Sequence, residues 1–152
     1  MSAQKIDASA IRAQLGANTE VDRVAEARGR IYKELLGYVP PRIQARFEIT
    51  GAIDDRMVAL QEEVRTHAMY PKCFDQRTAQ LMLFGMLLMD MNDATLIHGL
   101  AARRAGATWE ELQAVVNLCF LFRGLSAANK GAEFLAKIAD AELQVASRER
   151  DQ

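Results

Sequence analysis

Two histidines, His67 and His98, and two cysteines, Cys73 and Cys119, are the residues of this 152-residue chain best suited to move protons or attack electrophiles. His98 has the more suggestive surroundings. One helical turn to either side lie Ala94, Thr95, Ala101 and Ala102, with Met91 and Ala105 a turn further away. Small residues at that spacing let a second helix approach closely and place the imidazole in an enclosed crevice. An imidazole exchanges protons around neutral pH, so a general acid–base role is open to it. The competing reading is a core histidine hydrogen-bonded to a carbonyl, and local sequence alone favours that one, because packing accounts for most such residues.

Other chemistries are poorly supplied. Asp90, Asp93 and His98 fall at offsets of three and five, which do not bring three side chains onto one helical face, so no metal site is expected. Asp90 and Asp93 read as helix-terminus residues, and His67 can join His98 only through the fold. Cys119 lies among Leu118, Phe120 and Phe122, where burial makes a thiol inert. Arg123, just before Gly124, can cap the end of its helix or clamp a substrate carboxylate. Asn117, Asn129 and Lys130 are weaker candidates of the same type. There is no Gly-rich phosphate loop, dinucleotide fingerprint or nucleophile elbow, so no cofactor is expected.

The elements that must position these groups are helical. Half of the residues are hydrophobic and 26 % are charged, with a formal net charge of −1 and a pI near 6.1. That composition describes a globular protein with no global field for nucleic acid. The cysteines form no C-x-x-C, and a reducing cytoplasm is the simplest setting. The N-terminus lacks the apolar core of a secretory signal. The longest apolar run, Leu81 to Met89, falls far short of the roughly 20 residues that span a bilayer. No period-2 alternation appears anywhere, and the fold class expected is all-α.

In chain order, residues 1–17 read as a flexible or helical arm and 18–148 as a single domain. Asn18 or Thr19 can cap a helix running to Gly37, with Val21, Val24, Ile31 and Leu35 at helical spacing and Glu20 and Asp22 in its first turn. Pro41 opens a short helix containing Ile43, Phe47 and Ile49, closed by Gly51. Asp54 caps the next, with Met57, Leu60 and Val64 inward and Glu62, Glu63 and Arg65 outward. Tyr70-Pro71 breaks it. Asp75 caps a central helix, Gln76 to Met89, which is apolar almost all round and so is expected to be enclosed. Asn92 caps the helix carrying His98, and Gly106 ends it. Thr108 and Glu111 form a capping box. Gly124 ends that helix, Ser126 caps the last, and Glu142 to Gln152 form a charged tail.

Within residues 75–133, "FDQRTAQLMLFGMLLMDMND", "LIHGLAARRAGATWEEL" and "FLFRGLSAAN" together resemble the carboxymuconolactone decarboxylase family, whose wider relatives include the alkylhydroperoxidase-D-like proteins. The shared pattern is an acidic residue, a helix, a histidine, "G-x-T-x-x-E" and an aromatic-x-Gly turn. The upstream "ELLGYVPPRIQARF" also looks like the leading helices of longer members. The peroxidase branch carries a C-x-x-C whose positions here are Met91 and Ala94, which excludes a dithiol peroxide cycle. The family glutamate of the preceding helix falls at Ala79, beside Gln80. The Tyr-x-Gly-x-Pro turn becomes Phe122-Arg123-Gly124-Leu125-Ser126. Among the polar family positions, His98 is retained.

The resemblance implies an alkylhydroperoxidase-D-like helical fold assembled as a homo-oligomer, a trimer or a multiple of trimers. It implies a cofactor-independent lyase or isomerase acting on a small carboxylated or lactone metabolite from aromatic catabolism. His98 would be the proton shuttle, Arg123 would hold a carboxylate, and Phe84 and Phe122 would shape an apolar pocket. Asp93, Arg123 and His67 are the partners to inspect for His98. Two alternatives stand beside this. One is a non-catalytic oligomeric binding or accessory protein of the same fold, which Ala79, Met91 and Ala94 favour. The other is a thiol-dependent enzyme, which requires Cys73 and Cys119 to meet across a subunit boundary.

Overall fold

The computed structural model describes residues 6–15 and 19–150, the side chains of 19–22 excepted. The cap expected at Asn18 or Thr19 and the first-turn positions Glu20, Val21 and Asp22 lie outside the described side chains, as do residues 1–5, 16 and 17 of the arm. Regular structure among the described residues is helical throughout, with no strand. The chain divides into two compact units, Met1–Met69 and Tyr70–Gln152. The boundary falls at the Tyr70-Pro71 break, inside the stretch read from sequence as one domain. Proline withholds a backbone donor and restrains the residue before it, and both effects end a helix.

In the first unit, α1 (Ser9–Leu15) is followed by α2 (Thr19–Leu36), which stops where Gly37 takes a positive φ of 80°. Pro40 and Pro41 then start α3 (Pro41–Ala45), Pro41 occupying the first turn, where a missing N–H costs nothing. The helical path does not close at Gly51 as predicted. It widens into a π-helical turn over Arg46–Thr50 and continues through Gly51, at φ −62°, as α4 (Gly51–Ile53). Asp54 caps α5 (Asp55–Met69), its carboxylate accepting from the Met57 N–H at 2.9 Å.

The predicted facing of α5 is wrong, and the reason is electrostatic. Met57, Leu60 and Val64 point outward, Val64 being 67 % exposed, whereas Val58 and Glu62 are buried. Glu62 accepts hydrogen bonds from Tyr32 Oη (3.1 Å), Arg65 Nε (3.1 Å) and an Arg46 Nη group. Arg65 also lies over the Tyr32 ring, 4.3 Å from its centroid, and Tyr32 packs edge-on against Phe47. One carboxylate with three donors is a viable buried charge. It rotates α5 away from the facing its apolar stripe suggests.

In the second unit, α6 (Gln76–Met89), α7 (Thr95–Arg104), α8 (Trp109–Arg123) and α9 (Leu125–Arg150) pack round Phe84, Leu88, Leu112, Val116, Phe134 and Ile138. The local signals operate as read. Asp75 accepts from the Thr78 N–H at 2.7 Å, and Gly106 adopts φ 94° just past α7. Thr108 and Glu111 exchange hydrogen bonds of 3.1 and 2.8 Å. Asn92 acts differently from the predicted cap. Its side chain accepts from the Ala94 N–H at 2.9 Å in an Asx turn, and Ala94 occupies the cap position. Ser126 is inside α9, which starts directly after Gly124 (φ 62°).

The predicted charged tail is helical as far as Arg150, the last described residue. Val145 is buried, and Glu142 and Glu149 receive Arg103 and Arg104 at 2.9 and 3.0 Å. Arg103 further donates to the Ala107 carbonyl and lies over the Trp109 ring at 4.3 Å, which fixes α7 to the turn that follows it.

Candidate functional site around His98

His98 lies in the first half of α7. Gly99, Ala101 and Ala102 are buried, and a Cβ on Gly99 would overlap Ile138 Cδ1 and come within 3.1 Å of Phe84. The α7 backbone therefore runs close against α6 and α9. The ring is half-buried.

The group facing it is Gln80 of α6, whose Oε1 lies 2.8 Å from His98 Nδ1. Gln80 is wholly buried, and its Nε2 has no hydrogen-bond partner among the described residues. A buried donor left unmade costs about 1–3 kcal/mol. In the sequence Gln80 is only the neighbour of Ala79, the position to which the resemblance assigns a glutamate. The signal that points to it is its spacing: Gln80 lies four and eight residues before Phe84 and Leu88, so it occupies the inward stripe of an otherwise apolar helix.

The other predicted residues are dispersed. Phe84 is fully buried in the core, because its position on that same inward stripe carries it behind α7. Asp93 is exposed in the turn before α7. His67 is exposed on α5, in the first unit. Arg123 donates from Nε to the Met89 carbonyl at 2.8 Å, so it caps the end of α6 rather than that of its own helix. Asn117 accepts from Gln113, Lys130 pairs with Glu133, and Asn129 is exposed.

Phe122 is 81 % exposed and belongs to a separate feature. It lines an open groove of about 350 Å³ between α6 and α8, together with Met82, Gly85, Met89, Leu118 and Cys119. Neither His98 nor Gln80 lines this groove. Cys119 is buried with its thiol directed at the Gly85 carbonyl (3.5 Å), and burial pushes its pKa up. Cys73 is exposed. No group of three or more metal-ligating side chains occurs among the described residues.

Comparison of the chain with family models, with curated proteins and with solved structures finds no match.

Proposed function

We propose that the chain is a cofactor-independent lyase or isomerase of the carboxymuconolactone decarboxylase type, acting on a small carboxylated or lactone metabolite of aromatic breakdown. The observation that carries the reading is the His98–Gln80 contact. It places a half-buried imidazole, held by a buried amide, on a helix whose small residues fix its position. In this chemistry His98 takes a proton from a carbon beside a carbonyl or lactone and returns it to the product. The sequence pattern of residues 75–133 supplies the substrate class. Arg123 is left out of the reacting set, since its Nε is engaged by Met89. The protein is proposed to act as a homo-oligomer in the cytoplasm, a trimer or a multiple of trimers.

Muconolactone-like acids incubated with the protein and followed in the ultraviolet test the proposal. His98→Ala should lower turnover by about 10²-fold, as for loss of a general acid–base, and leave the oligomer intact. Unchanged turnover would remove His98 from the mechanism.

The α6/α8 groove favours a second reading, a non-catalytic binding or accessory protein of the same fold, because it is apolar and does not contain His98. That reading expects these acids, or more apolar ones, to raise the melting temperature with no spectral change in the ligand.

A further inference from the structure

We infer that Gln80 is a positioning residue that holds His98 as the Nδ1–H tautomer, an inference that rests on the reading of His98 as a proton carrier. Gln80 is out of contact with solvent in the inward stripe of α6 that also holds Phe84 and Leu88. Its only side-chain hydrogen bond among the described residues is the one to His98 Nδ1 at 2.8 Å, and its Nε2 is shielded without a partner. Leucine or methionine would fill the same stripe without burying an amide. Packing therefore does not account for glutamine here, and the one group the amide serves is the imidazole. Residues kept at the expense of stability are characteristic of functional sites.

The chemistry follows from the atom that faces the ring. Oε1 is an acceptor only, so the ring nitrogen opposite it carries the hydrogen, and a neutral Nδ1–H imidazole has its basic lone pair on Nε2. The acceptor is also uncharged. A carboxylate in its place would favour the protonated ring, whereas an amide orients the imidazole without committing it to the charged form. A group that must both take and return a proton is suited by that arrangement.

The test is nitrogen-15 NMR of the two histidine rings in the full-length protein at pH 8, with no ligand added, and His67→Gln used to assign the signals. Wild type and Gln80→Glu, which both present an acceptor oxygen, should show His98 protonated at Nδ1. Gln80→Leu should shift the ring toward the Nε2–H form preferred by a free imidazole, with a melting temperature equal to or above that of wild type. Three results overturn the inference: a wild-type ring protonated at Nε2, an unchanged tautomer in Gln80→Leu, or a Gln80→Leu protein that melts several degrees lower. If Gln80→Leu does not fold, its amide is structural and the inference fails. An Nδ1–H wild-type ring in a protein that turns over no acid would leave the tautomer assignment standing and remove the lyase reading alone.

Discussion

Tyr32 lies 4 % exposed beneath the Arg65 guanidinium, with its hydroxyl on the Glu62 carboxylate, and its pKa is pushed up to about 12. Burial is the main cause. The Arg65 charge opposes it and the Glu62 charge adds to it. A phenol whose folded pKa lies above its unfolded value of about 10 binds its proton more tightly in the native state. Its contribution is complete below pH 10 and disappears as the pH climbs to about 12. The amount at stake is about 2–3 kcal/mol, from 1.4 kcal/mol per pKa unit. Urea unfolding of wild type and Tyr32→Phe at intervals from pH 9 to 11.5 should show the wild type losing stability faster above pH 10. Parallel curves would mean that Tyr32 titrates as freely folded as unfolded. The same cluster explains why α5 was misread. The residues that pull Glu62 inward are Arg46 and Tyr32, 16 and 30 positions upstream, and helical periodicity contains no information about them.

At the level of elements, α8 and α9 meet where Gly131 faces Val116. A Cβ on Gly131 would stand 2.5 and 2.7 Å from the two Val116 methyls, and both residues are buried. Gly131→Ala should therefore destabilise the second unit by about 1–3 kcal/mol, the usual cost of overpacking a filled core. Val116→Ala in the same chain should recover part of that loss, because it removes the methyls that clash. Additive losses in the double variant, measured by denaturant unfolding, would place the strain elsewhere. The helix boundaries themselves were largely legible. Asp54, Asp75, the Thr108–Glu111 box and Gly106 act through partners within a few residues, so their geometry is written locally. Ser126 was misread because Gly124 already turns the chain, and α9 starts one residue later without it. His98 was visible by residue type, and its helix by its small neighbours. Gln80 was not read as its partner, because one amide on an apolar helix matters only once α7 is known to cross it.

For the molecule as a whole, the prediction that α6 is enclosed fails on one side. Met82 and Met86 of α6 and Leu118, Leu121 and Phe122 of α8 are all more than 40 % exposed, and Met82, Leu118 and Phe122 share one groove. On α8, Leu121 and Phe122 lie three and four residues after Leu118, which puts them on the same side of the helix as Leu118. Apolar side chains left this exposed on adjacent helices are the kind of surface that marks an interaction site. No helix among the described residues is long and apolar enough to cross a membrane, so a bilayer span does not account for this surface. A second copy of the chain, presenting the same surface, would cover it with like chemistry, since closed symmetric assemblies reuse one patch or a pair of patches. The wild type should therefore elute from a sizing column, with light scattering, at a multiple of its 16.9 kDa chain mass. Leu118→Glu with Phe122→Glu should reduce it to the monomer without unfolding it, because both positions are already exposed to solvent. Val64→Glu, on the exposed stripe of α5, serves as the comparison: dissociation by that change alone would move the interface to the first unit. A wild type that stays monomeric at tens of micromolar would leave the apolar face to a different partner.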